Sequence, residues 1–151
     1  MGDNFFDNVD PAVFRSYVFW SSVLVLKMLV MSILTGMKRH AKKAFANPED
    51  LKSAKGAKIV LNDPDVERVR RAHLNDLENI LPFFTVGFLY MFTGPSVALA
   101  TNLFRLVAIA RIAHTFVYAI FVIPQPARGI SWMLAYIPTG FMAVQTILAF
   151  I

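Results

Sequence analysis

Residues 65–93 read DVERVRRAHLNDLENILPFFTVGFLYMFT, and the change of character halfway along this run decides the fold. The whole stretch keeps a helical pattern. Its first half is charged, whereas its second half, Ile80 to Phe92, is almost wholly apolar. Such a helix suits water or headgroups at one end and lipid at the other. Gly94-Pro95 stops it and leaves only a tight turn before Ser96.

On the N-terminal side, Phe14 to Gly36 is apolar except for Arg15, Lys27 and a few hydroxyls. At about 1.5 Å per residue it can cross a hydrocarbon core of about 30 Å. On the C-terminal side, Val97 to Ile123 forms the next run, Pro124-Gln125-Pro126 with Arg128 and Gly129 makes a short stiff connection, and Ile130 to Ile151 is a last apolar run interrupted by Pro138. These readings predict an all-α integral membrane protein, a four-transmembrane-helix bundle over residues 14–36, 65–93, 97–123 and 130–151. Residues 37–64 are expected to form the largest loop, with Asn47-Pro48 and Asp63-Pro64 as turn or helix-start signals. The whole chain, 1–151, reads as one membrane domain with no separate soluble domain.

Composition agrees: of 151 residues 56% are hydrophobic and only 17% charged, too apolar for an ordinary soluble domain of this size. The net charge of +5 lies largely between Lys38 and Lys58, where Lys38, Arg39, Lys42, Lys43, Lys52, Lys55 and Lys58 outnumber Glu49 and Asp50. Because these cations flank a lipid-soluble helix, anionic lipid headgroups are the expected partner and nucleic acid is not. The positive-inside rule puts this loop and Arg128 in the cytosol and both termini on the other side. Asp3, Asp7 and Asp10 replace a basic signal-peptide start, so the first helix is expected to be a retained signal anchor.

With no cysteine, the chain has no disulfide, thiolate metal site or thiol nucleophile of its own, so any thiol chemistry must come from a substrate. His40, His73 and His114 lack metal-ligand spacing, and no metal is expected. Phosphate-loop, nucleophile-elbow and His-Glu-x-x-His motifs are likewise missing.

Two polar stripes stand out. Arg68, Arg71, Asn75 and Glu78 follow one another at three, four and three residues, which places them on one helical face; Arg70, His73 and Asp76 cluster nearby, some of them simply solvated. Arg111, His114 and Tyr118 repeat the spacing on the following helix. Lipid does not accept ionisable groups at depth, so the stripes suggest a shared pocket, against the alternative of a structural ion-pair network at the cytosolic end. Pro82 cannot bond the carbonyl of Glu78, which frees that oxygen for a ligand or merely eases helix packing. Lys27, near mid-span, needs a carboxylate, a wet cavity or snorkelling, and reads as structural before it reads as a ligand group.

Phe45-Ala46-Asn47-Pro48-Glu49-Asp50, Val66 to Pro82, Ala110 to Tyr118 and Pro124 to Gly129 together resemble the MAPEG superfamily, in order along the chain, and its glutathione transferase branch above all. The resemblance implies a homotrimer of four-helix subunits with glutathione bound between subunits near the cytosolic face. Carried onto this sequence it implies a glutathione site of Arg39, Arg68, Arg71, Asn75, Glu78, His114, Tyr118 and Arg128, which includes most of both stripes. Arginines would grip the two carboxylates of glutathione, Glu78 its ammonium and Asn75 a peptide group. Arg128 would stabilise the thiolate, Tyr118 would hydrogen-bond the sulfur or orient the tripeptide, and Asp50 would stabilise the site or help proton transfer unless it is only an exposed loop residue.

The function so implied is a detoxifying transferase of the endoplasmic reticulum (microsomal) membrane, with the mitochondrial outer membrane as a second location. Glutathione is the co-substrate, and hydrophobic electrophiles or lipid hydroperoxides arrive from the membrane. Prostaglandin E synthases of the same superfamily are the runner-up; they carry a serine where this chain has Gly129, an arginine at Leu74 and a tyrosine at Trp132. Relatives activated by thiol modification carry a cysteine where this chain has Leu51, so that control is expected to be missing. A non-catalytic lipid-binding MAPEG-like protein, or a small channel lined by the charged stripes, are the competing classes.

Overall fold

A computed structural model describes residues 9–151; Asp3 and Asp7, on which the signal-anchor expectation partly rests, lie outside them. Four long helices carry the chain: α1 (Pro11–Lys42), α2 (Pro64–Tyr90), α3 (Val97–Thr115) and α4 (Ala127–Ala149). α1, the stretch from Val97 to Ile120, and α4 are long and apolar enough to cross a membrane. α2 falls outside that group because its first half is too charged, although at about 1.5 Å per residue its length suffices.

Helix α1 begins earlier and ends later than its apolar run. Asp10 caps it by accepting from the amides of Ala12 at 2.7 Å and Val13 at 3.4 Å, with Pro11 in the first turn. The expected stop at Gly36 does not occur. A mid-helix glycine costs only about 1 kcal/mol, too little to break so long a helix, and termination waits for Lys43, which adopts φ +53° and returns its amide to the carbonyls of Arg39 and His40. Arg39 therefore sits on the last helical turn rather than in the loop. The same correction applies to α4, which starts at Ala127 instead of residue 130 and so takes Arg128 into its first turn.

Asp63 caps α2 by accepting from Asp65 and Val66, and Pro82 lies inside the continuous helix. A short 3-10 turn, Met91–Thr93, and Gly94 at φ +66° close it. The segment expected to be the largest loop contains short regular structure: β1 (Ala44–Phe45) and β2 (Lys58–Ile59) pair in parallel around a 3-10 turn over Pro48–Ser53, which starts at the Asn47-Pro48 signal.

α1 and α4 each lie against both α2 and α3, so α2 and α3 face each other diagonally. Leu24, Ile80, Phe83, Phe104 and Met142 fill the centre with no exposure. Tyr17 packs its ring edge-on to Phe104 and donates its hydroxyl to the carbonyl of Phe84 at 2.7 Å. α2 can approach because residue 87 is glycine: a Cβ there would lie 3.1 Å from the Tyr17 ring.

The outer faces are apolar, with Phe19, Leu26, Ile33, Ile147 and Leu148 all more than half exposed. In water such a surface would associate, whereas in lipid it is solvated. Several hydroxyls within the spans are satisfied internally: Thr35, Thr101, Thr139 and Thr146 each donate to the carbonyl four residues back, whereas the Thr115 hydroxyl is enclosed without a partner among the described residues.

Candidate functional site

The largest fully buried side chain is charged. Arg111, on α3, is 0% exposed, and so is Asp76 on α2. Arg111 Nη2 donates to Asp76 Oδ1 at 2.6 Å and to Asn75 Oδ1 at 2.9 Å. The second carboxylate oxygen, Oδ2, accepts from Lys27 of α1. One carboxylate thus compensates two cations from two other helices, in surroundings where an isolated charge would be far too costly. Lys27 has the carboxylate that its depth required, and Asp76 is a core group rather than one of the solvated members of its cluster. Asp76 had no place in the sequence-derived site, and Arg111, although one of the stripe residues that suggested a shared pocket, was not among the expected glutathione residues; the signal available was Lys27 itself, a buried cation calling for an anion on another helix.

From this core a chain of contacts runs to the mouth of α4. Arg111 Nη2 lies 3.4 Å from Nδ1 of His114, which is also buried. The His114 ring meets Tyr118 edge-on, with centroids 5.5 Å apart. The Arg128 guanidinium sits over the Tyr118 ring at 4.7 Å from its centroid, a cation–π geometry. The structure therefore brings Asn75, His114, Tyr118 and Arg128 into one connected group.

Local backbone features aim these residues. α3 passes into a π turn over Phe116–Ile120, closed by the Phe121 amide on the Phe116 carbonyl at 2.9 Å. Tyr118 is at its middle, and such widened turns gather at functional sites. Val122 then takes φ +48°, a strained conformation for a β-branched residue, as the chain turns towards Pro124. Gln125 Oε1 accepts from the Gly129 amide at 3.0 Å and ties the connection to the first turn of α4, where Arg128 stands.

The remaining expected residues do not join that group by any hydrogen bond or ion pair among the described residues. Along the α2 stripe Arg71 and Glu78 are exposed, while Arg68 is half-buried with its Nε enclosed and unpartnered. Arg39 donates to the Ala44 carbonyl at 3.3 Å and so helps hold the β1 segment against the end of α1. Asp50 accepts from Asn47 at 3.3 Å within the 3-10 turn. Arg70 pairs with Glu67 at the surface, outside the connected group.

An apolar-surfaced helical protein with a buried Lys–Asp–Arg core and an Arg–Tyr–His cluster at one end is an integral membrane protein built around a polar site. Residues 17–148 match the MAPEG family, and the chain belongs to it. Prostaglandin E synthase of Bos taurus is 42% identical over 135 residues, covering 89% of this chain and 88% of the relative. Microsomal glutathione S-transferase 1 of Homo sapiens is 43% identical over 141 residues, 91% and 90% of the two chains. The protein of the same name from Sus scrofa is 45% identical over 137 residues, 88% of each. Overall identity does not separate the two activities.

Proposed function

We propose that this chain is a membrane glutathione transferase that conjugates the glutathione thiolate to hydrophobic electrophiles and also reduces lipid hydroperoxides. The observation that carries the reading is the Arg128 guanidinium held over Tyr118 beside His114. A free thiol is only a few per cent thiolate at neutral pH, and a fixed cation beside the sulfur raises that fraction. Arg128 is the residue assigned to this task, and Tyr118 orients the sulfur or hydrogen-bonds it. Glutathione is held by Arg39, Arg68, Arg71, Asn75, Glu78 and His114: arginines on its carboxylates, Glu78 on its ammonium. Asp50 is assigned a stabilising or proton-transfer role.

In this reading residues 1–151 form one domain whose α2 is the fourth transmembrane helix, with its charged half at the cytosolic surface and the basic segment beside it. The membrane is that of the endoplasmic reticulum. The chain acts as a homotrimer, and the exposure of Arg71 and Glu78 supports a site finished by a second copy.

Isomerisation of a prostaglandin endoperoxide is the second reading, favoured by the 42% identity to the bovine synthase. Purified protein in detergent, given glutathione with either an aryl halide or prostaglandin H2, separates the two. Thiol consumption with the aryl halide is the expected result. Turnover of the endoperoxide alone would replace transfer by isomerisation, and no turnover of either would remove the enzyme reading.

A further inference from the structure

Among the buried charges Asp76 is the sequence neighbour of Asn75 in the stripe assigned to glutathione, and their geometry restricts what that stripe can recognise. Arginine carries only N–H donors, so the group that Asn75 turns towards Arg111 at 2.9 Å has to be its amide oxygen. The amide nitrogen Nδ2 then points away from the guanidinium and makes no hydrogen bond among the described residues, while Asn75 itself is half-buried at the edge of the bundle. Arg111 in turn is fixed by Asp76 Oδ1, and Asp76 cannot rotate because its other oxygen is taken by Lys27. Residues on three helices thus converge on the orientation of one amide.

We infer that Lys27, Asp76 and Arg111 are positioning residues that lock Asn75 as a hydrogen-bond donor towards the bound thiol peptide, so that this position accepts only a carboxylate or peptide carbonyl. The inference rests on the proposed glutathione site and narrows it. A freely flipping asparagine would take a donor or an acceptor alike; here the acceptor end is already spent inside the core. Lys27 touches no ligand in this scheme and acts at second hand, through Asp76 and Arg111.

The test compares wild type with Lys27→Met, Lys27→Arg and Asn75→Asp, reading glutathione KM and kcat at saturating electrophile, and glutathione affinity by calorimetry. Lys27→Met frees one oxygen of Asp76, loosens Arg111 and with it Asn75. Glutathione KM should rise about tenfold, the scale of one hydrogen bond to a charged group, with kcat within about twofold. Lys27→Arg, which restores a cation to Asp76 Oδ2, should bring KM back towards wild type. A purely structural Lys27 would lower the folded fraction and leave the KM of the folded protein unchanged, and that result would overturn the inference.

Asn75→Asp covers the case in which Lys27→Met does not fold. Aspartate keeps an acceptor for Arg111 but removes the outward donors, so glutathione affinity should drop at least about tenfold. Unchanged affinity in this variant would show that no donor is needed there and would equally overturn the inference. Failure of wild type to bind glutathione would instead sink the proposed function on which the inference stands.

Discussion

Replacing Asp76 with asparagine should lower the unfolding temperature of the bundle by about 6–12 °C. The side chain keeps its shape but loses its charge, and only one of its two ends can still accept. If the remaining oxygen serves Arg111, as at 2.6 Å in the native core, the new amide N–H₂ faces the Lys27 ammonium, donor against donor. Two cations from α1 and α3 are then left with no anion, in a site where Arg111 is 0% exposed and the Lys27 side chain 10%. Removing one partner of a buried ion pair costs about 3–5 kcal/mol; the lower end applies here, because Arg111 keeps its bond to Asn75. At about 2–4 °C per kcal/mol for a chain of this length, 3 kcal/mol gives the stated shift. The control is Asp65→Asn, which breaks a pair with Lys42 at 2.5 Å whose side chains are 45% and 43% exposed. Water and salt screen that pair, and its loss should leave the midpoint where it was. Thermal unfolding of detergent-solubilised protein, followed by circular dichroism, measures both. Equal midpoints for the two variants would refute the claim that Asp76 is a buried counter-ion.

Three further outcomes follow from particular contacts. Gly87→Leu pushes a side chain into the Tyr17 ring, already 3.1 Å from where a Cβ would sit, and overpacking of this kind should cost about 1–3 kcal/mol in the same unfolding assay. Asp10→Ala removes the cap on the first amides of α1; the loss should be about 1 kcal/mol, seen as faster hydrogen exchange at Ala12 and Val13. Tyr118→Phe keeps the ring under Arg128 and deletes only the hydroxyl, so glutathione affinity should hold while kcat drops severalfold if the phenol bonds the sulfur; unchanged kcat would restrict Tyr118 to orientation.

Periodicity showed the helices and the two stripes, because spacing of three and four residues is a property of one helix at a time. It could not show the ionic core. Asp76 meets Arg111 across 35 residues and Lys27 across 49, and within α2 it looks like one more charge on a charged half-helix. Lys27 alone carried the hint, since a cation at depth must have a partner. Helix ends were legible only where chemistry stops a helix. Gly94 did so and Gly36 did not, because a single glycine weakens a long helix less than the Lys43 turn terminates it. The short parallel pair β1–β2 and the π turn at Tyr118 left no sequence signal, being set by tertiary packing over two and five residues.

The most direct test of the central claim compares wild type with Arg128→Ala for glutathione binding, thiolate absorbance of the bound tripeptide and conjugation to an aryl halide. Binding largely kept, with the thiolate signal and turnover lost, is the predicted result, and Arg128→Lys should recover part of both. A thiolate signal unchanged in Arg128→Ala would contradict the account and move thiol activation to another cation.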